Sequence, residues 1–242
     1  MKTFALVLAA GSGERFGALN VPKHLTEISN VPVLIWTLKT IVNAQIFDKV
    51  VVVARPQDMQ ITERQIKLFL HDKMSMIEIV EIMPGGERVE TFKAGLGHIQ
   101  KHHKPSSDDI VALFDANRPL GTQEQLLQLH KCVEKYHCVC PARGVVNGVA
   151  ETEDGFITSV PDKSLFVEFV TPEFINYGFL SDAMMKSDKD YACLVEYALS
   201  LGVKPFVIDA SPLNVKLTFP EDATFLEGLI QKYNLEVPQK TV

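Results

Sequence analysis

An α/β fold built on a mostly parallel sheet with helices on both faces is predicted by three features of the sequence. Short β-branched runs alternate with segments of helical period. Those runs are apolar on successive residues, as strands covered on both faces are. Small-residue loops follow the strands, where folds of this class hold their ligands. The chain has 242 residues, 46% of them apolar. That is enough for one sizeable core, and no internal repeat, low-complexity tract or long linker divides it. We read residues 1–242 as a single domain.

The predicted strands are Phe4–Leu8, Lys49–Ala54, Ile77–Val80, Ile110–Phe114, Tyr136–Ala142 and Lys204–Ile208. Predicted helices cover Val33–Ala44, Asp58–Leu70, Val89–Gln100, Thr122–Lys135, Tyr191–Leu201 and Glu221–Lys232. The first of these follows Asn30 and Pro32, a cap and first turn. One region breaks the alternation. Arg143–Glu168 reads as short β pieces with hairpin turns at Asn147-Gly148 and Asp154-Gly155, a β-arm projecting from the body.

Composition excludes several function classes. Lys and Arg number 24 against 30 acids, a formal net charge of −6. A general nucleic-acid binder needs a basic face, so any anionic ligand must meet a local cluster of cations. The apolar run at the start, Met1 to Ala10, is short and ends in Gly11-Ser12-Gly13; it reads as a buried strand rather than a signal peptide. No stretch approaches the ~18–20 apolar residues of a membrane span. Cys132, Cys138, Cys140 and Cys193 form no CxxC pair. Reduced thiols in a cytoplasmic protein are the expectation.

Four loops carry candidate chemistry. The first runs Leu8-Ala9-Ala10-Gly11-Ser12-Gly13-Glu14-Arg15-Phe16-Gly17 to Pro22-Lys23. Small residues straight after a strand let backbone N–H groups approach a phosphate or base. A dinucleotide fingerprint fails here because Phe16 replaces its last glycine and no ribose-binding acid follows Ala54-Arg55. A Walker loop fails because no Gly-Lys pair is present. The second loop, Pro84-Gly85-Gly86-Glu87-Arg88-Val89-Glu90-Thr91, offers helix N-terminal amides and a hydroxyl. The third, Asp115-Ala116-Asn117-Arg118-Pro119, puts an acid at a strand end to meet a ribose or a metal ion, or to close its own loop on Arg118. The fourth brings Lys216 in Asn214-Val215-Lys216-Leu217-Thr218 before a Pro-started helix. His98, His102 and His103 lie near a helix end, but no acid or cysteine in sequence completes ligand spacing, and they read as a solvated helix terminus.

Taken in order, LAAGSGERFG…VPKHL, GGERVETFKAGL, DANRPL, VTPEF, SDKDYACLVE and NVKLTFPED resemble the cytidylyltransferases that act on 2-C-methyl-D-erythritol 4-phosphate, and their relatives that act on ribitol 5-phosphate. The resemblance runs from Phe4 to the helix after Pro220. It implies a Rossmann-like fold of the nucleotide-diphospho-sugar transferase type. It implies a reaction joining CMP from CTP to a polyol phosphate with release of pyrophosphate. Such a nucleophile is already anionic near neutral pH, so catalysis is positioning plus cations rather than acid–base work.

By this resemblance Arg15, Lys23 and Lys216 are the catalytic cations. Ala9, Ala10, Gly11, Gly13, Gly85, Gly86, Thr91 and Asp115 hold the nucleotide. Asp115, Arg118, Lys163 and Thr171 serve the second substrate, and Asp115 also meets Mg²⁺. A homodimer is implied, with the arm at about 143–168 reaching the partner; neither nucleic acid nor membrane is. The departures concern the acceptor. Gly144 and Val145 stand where both branches carry Asp-Thr for polyol hydroxyls, Lys163 where one branch has Arg, Glu173 where a Gln is usual, and Phe114 where both have His. The Arg15-to-Lys23 spacing is nearer the ribitol-phosphate branch. A site built to bond hydroxyls discriminates strongly, so these changes point to an altered acceptor. A CTP-binding homologue without transfer activity is the alternative.

Overall fold

The computed structural model describes residues 1–11, 22–82, 88–180, 191 and 193–241. Strands are numbered in chain order: β1 (Thr3–Leu8), β2 (Glu27–Ile28), β3 (Val31–Pro32), β4 (Lys49–Ala54), β5 (Ile77–Glu81) and β6 (Ile110–Asp115). There follow β7 (Cys138–Gly144), β8 (Glu151–Glu153), β9 (Phe156–Ser159), β10 (Val167–Phe169), β11 (Glu173–Asn176) and β12 (Phe206–Asp209). The helices are α1 (Val33–Asn43), α2 (Met59–Leu70), α3 (Arg88–His103), α4 (Gln123–Tyr136), α5 (Leu194–Ser200) and α6 (Asp222–Lys232).

The main sheet has the order β10-β7-β11-β6-β1-β4-β5, with β12 beside β7. β5, β4, β1 and β6 pair in parallel. β12 is parallel to β7, and β11 runs antiparallel between β6 and β7. The mostly parallel sheet is as the sequence predicts.

Side chains alternate across it with the two-residue period of a strand. Ala5, Val7, Val50, Val52, Ile110 and Ala112 join one core, under α1, α2, α4 and α6. Phe4, Leu6, Val51, Val53, Val111 and Leu113 join the other, under α3 and α5. Burial on both faces explains the unbroken apolar runs.

The differences from expectation are local. Tyr136 ends α4 instead of starting a strand, because His137 turns the chain at φ 64° and β7 begins at Cys138. Its ring stacks flat on Phe206 of β12 instead. α5 starts at Leu194 rather than Tyr191, where the Cys193 sulfur accepts from the Glu196 N–H. β11 was not foreseen, since an acid and the Thr171-Pro172 pair disguise its apolar pattern. In the arm, Asp154 and Gly155 both have positive φ and close the β8–β9 hairpin. Asn147-Gly148 closes none: β7 pairs instead with β10, so residues 145–150 run without a partner strand.

Helix α3 lies directly on the sheet because Gly95 has no side chain. A Cβ there would sit 2.2 Å from Leu6 Cδ1 and 2.8 Å from Val53 Cγ2, both in the core. Gly95→Val is therefore expected to destabilise the fold by about 1–3 kcal/mol through overpacking. Urea unfolding checks this; an unchanged midpoint refutes the close approach.

Candidate active site

Successive parallel strands end on the same edge of the sheet, so their following loops converge. Asp115 is the last residue of β6 and stands in register with Leu8 of β1. The Ala116 N–H donates to Leu8 O at 3.2 Å, which fixes the turn that follows. Arg88 opens α3 on the same edge. The loop after β12 is clamped to the Asp115 loop: Asn117 Nδ2 donates to Leu217 O at 2.7 Å, and the Leu217 N–H donates to Asn117 O at 2.9 Å. Lys216 is thereby delivered next to Asp115, 101 residues away in sequence.

The buried Asp115 carboxylate accepts from three cations. Arg88 Nη1 meets Oδ1. Lys216 Nζ lies 2.9 Å from Oδ2, and Arg118 Nε lies 3.5 Å from it. Burial alone raises the pKa of this carboxyl, but Arg88 and Lys216 more than reverse that and hold it well below the usual carboxylate range. Asn214 organises the neighbours. Its Nδ2 donates to Thr171 O at 2.8 Å and Gln125 Oε1 at 3.3 Å. Its own carbonyl accepts from Arg118 Nη1 at 3.3 Å and Arg143 Nη2 at 3.2 Å.

Beneath Arg88 lies a second acid. Glu173 Oε1 is 3.9 Å from Arg88 Nη2, while Oε2 accepts from the Val195 N–H at 3.1 Å at the start of α5. Burial pushes Glu173 up to about 7, against the pull of Arg88. Among the described residues, Arg88, Arg118, Arg143 and Lys216 gather around two acids, Asp115 and Glu173, so cations outnumber acids by two there in a chain of net charge −6. Such a pocket suits a polyanion.

The structure brings Asp115, Arg118 and Lys216 together and places Thr171 in the same cleft. Thr171 Oγ1 is buried with no hydrogen-bond partner among the described residues, as is Arg143 Nε. Ala9, Ala10 and Gly11 follow β1 on the same edge, and a Cβ at Gly11 would meet nothing within 4 Å among the described residues. Thr91 is buried in the first turn of α3. Lys23 opens a short turn, Lys23–Leu25, whose His24 is buried near Thr62. Lys163 is held within the arm, its Nζ donating to Val146 O at 3.1 Å. Arg15, Gly13, Gly85 and Gly86 lie outside the described residues. Sequence reasoning assigned no role to Arg88, Glu173, Arg143 or Asn214. Arg88 was legible as a cation straight after Gly-Gly-Glu at a helix start, and Glu173 as a lone acid in an apolar stretch.

A Rossmann-like sheet that gathers surplus cations at the carboxyl ends of its strands defines an enzyme for phosphorylated, nucleotide-type substrates. Known proteins narrow this. The model of the IspD family, 2-C-methyl-D-erythritol 4-phosphate cytidylyltransferase, matches residues 3–232. The chain belongs to this family, and is thus a nucleotidyltransferase. It is 30% identical over 233 residues to the 2-C-methyl-D-erythritol 4-phosphate cytidylyltransferase of Caldicellulosiruptor bescii, covering 96% of this chain and 99% of that one. It is 27% identical to the ribitol-5-phosphate cytidylyltransferase of Lactiplantibacillus plantarum, covering 95% and 98%. A crystal structure of 4-diphosphocytidyl-2C-methyl-D-erythritol synthase from Anaerococcus prevotii has the same fold, with a TM-score of 0.79 at 20% identity over 95% of this chain and 96% of that one.

Glu173 makes stability depend on pH. A carboxyl whose pKa is raised by folding binds its proton more tightly in the folded state. Its contribution is full below the unfolded value of 4.5 and is lost as pH rises through about 7. The whole shift corresponds to about 3 kcal/mol. Glu173→Gln is expected to flatten the stability profile across that interval, as read by urea unfolding at a series of pH values. Parallel profiles for the two proteins would refute the assignment.

Proposed function

We propose that the protein transfers CMP from CTP to a polyol phosphate and releases pyrophosphate. The observation that carries this reading is the cation surplus around the buried Asp115 carboxylate. The acceptor phosphate attacks the α-phosphorus of CTP, one P–O bond forms and the bond to pyrophosphate breaks. Both reactants are anions, so the barrier is largely electrostatic. Lys216 and Arg88 lower it by sitting where charge accumulates, and Asp115 keeps their side chains aimed while neutralising part of their mutual repulsion. Arg15 and Lys23 complete the cation set on the first loop. Ala9, Ala10, Gly11, Gly13, Gly85, Gly86 and Thr91 hold the cytosine and ribose. No side chain is required to remove a proton.

The residues suit a divalent ion in one way. A carboxylate offers about four lone-pair sites, and Asp115 already accepts three hydrogen bonds. Among the described residues this leaves one site for a single oxygen–Mg²⁺ contact, and the surrounding positive charge makes it favourable only when phosphates supply the remaining ligands. Asp115 would hold Mg²⁺ in this way, and the ion would offset charge on the phosphate oxygens.

The acceptor is recognised mainly through its phosphate. Gly144 and Val145 offer no side-chain hydrogen bonds to hydroxyls, whereas Arg143 adds a guanidinium one residue earlier. Arg118 and Thr171 line the same cleft. A pyrophosphate-release assay tests the reading with CTP, UTP, ATP and GTP against ribitol 5-phosphate, 2-C-methyl-D-erythritol 4-phosphate and glycerol phosphate. CTP with a polyol phosphate is expected to turn over, and Lys216→Ala to lower kcat by about 10²–10³-fold, as loss of one preorganised donor does. CTP–Mg²⁺ binding without turnover of any pair would leave a nucleotide-binding homologue instead.

The arm supports a homodimer. β8 and β9 form a two-stranded sheet of their own, which is marginal in isolation. Around them Phe156, Ile157, Val160 and Leu165 are exposed, Leu165 to 80%. Apolar surface of this extent marks an interface, and Lys163 rides on it toward the partner's site. The double variant Phe156→Asp/Leu165→Asp is expected to sediment as a monomer. A variant that stays fully dimeric would count against the arm.

A further inference from the structure

Helix α3 starts in the active site at Arg88 and ends at His103. Fifteen steps of helix place its far end about 22 Å away. The last turns carry His98, His102 and His103, for which no acid in the sequence completes ligand spacing. The fold supplies one. Because β5 lies at the sheet edge beside β4, its Glu78 comes up beside the end of α3, 20 residues before His98.

Both imidazoles converge on one oxygen of that acid. Glu78 Oε2 lies 2.7 Å from His98 Nε2 and 2.9 Å from His103 Nε2. One donor atom from each of the three residues lies within 4.8 Å of the other two. The second oxygen is already engaged, since Lys49 Nζ sits 3.2 Å from Oε1 and also donates to Ser75 O at 2.9 Å. Glu78 is thus turned so that a single oxygen faces the histidines. The rings are held as well: His102 stacks on His98 with centroids 4.4 Å apart, and Phe4 lies 5.6 Å from His103. All three groups are half-buried, which leaves a path from solvent.

We propose that Glu78, His98 and His103 bind a divalent transition-metal ion of the zinc class, which pins the end of α3 to the edge strand. Two imidazole nitrogens and one carboxylate oxygen are a donor set for zinc, cobalt or nickel rather than magnesium. Metal–ligand bonds of about 2.0–2.2 Å in tetrahedral geometry need donors about 3.3–3.5 Å apart, so the Nε2–Oε2 pairs open by roughly half an ångström around the ion. Each neutral ring moves its proton from Nε2 to Nδ1, with no net proton released. Water fills the remaining coordination position. The ion is structural: it lies at the opposite end of α3 from the Asp115 cluster, and it ties the helix that carries Arg88 to β5.

The test uses the full-length, tag-free chain, stripped with a chelator and titrated with Zn²⁺ by calorimetry and with Co²⁺ by visible absorption. The expected result is one equivalent of Zn²⁺, Co²⁺ bands of a four- or five-coordinate N/O site, and a melting temperature that rises until one equivalent is reached. Mg²⁺ should produce none of these. Glu78→Gln and His98→Gln should each weaken binding by at least about tenfold and remove the thermal shift, whereas Lys216→Ala should leave both intact. His98 is half-buried on the helix rather than in the sheet, so its variant carries the test if Glu78→Gln proves unfolded. Absence of stoichiometric binding, binding indifferent to His98→Gln, or binding lost in Lys216→Ala would each overturn the proposal.

Discussion

The Asp115 carboxylate is the interaction on which the site depends. Cations from three separate segments meet on its two oxygens. Two like charges 4 Å apart repel by about 4 kcal/mol near a protein surface, so Arg88, Arg118 and Lys216 do not gather without a counter-charge. A buried acid gathers them, and among the described residues cations still outnumber acids there. The same arrangement explains why the acid sits at the end of a central strand. Only a fully covered strand holds a side chain still enough for three partners to share it.

That stillness comes from the sheet. Every parallel strand of the centre has one set of side chains in each core, and neither face is open to water. Helix α3 approaches it closely at Gly95, and carries Arg88 at one end and the histidine pair at the other. The position of Arg88 is therefore tied to how this helix seats along its whole length. Glu173 adds a second tie, since it links Arg88 to the start of α5 from below.

The two halves of the site differ in character. The proposed nucleotide side rests on loops that carry the family's motif residues, although the Gly85-Gly86-Glu87-Arg88 loop is one residue shorter than in either branch. On the proposed acceptor side, Gly144 and Val145 offer no hydroxyl-binding side chains, while Arg143 remains with the Thr171 hydroxyl, which has no partner among the described residues. Relatives named for either polyol phosphate match at 30% and 27% identity across nearly the whole chain. A difference that small does not choose between acceptors. The choice lies in the handful of side chains around Arg143, because each buried hydroxyl contact changes discrimination far more than average similarity does.

The sequence by itself determined the α/β class, the main parallel strands, six flanking helices to within three residues at each end, and the motif loops at the strand ends, because apolar periodicity and loop chemistry are local properties. Arg118 beside Asp115 was also readable, three residues apart. Only the tertiary structure decided that Lys216 meets Asp115 across 101 residues, that Arg88 joins them, and that Glu173 lies on an antiparallel strand beneath the site. The same holds for Glu78, which joins a histidine pair for which no acid in the sequence completes ligand spacing. Pairings of this kind follow from strand order and register, and those are settled by packing between distant segments rather than by any one of them.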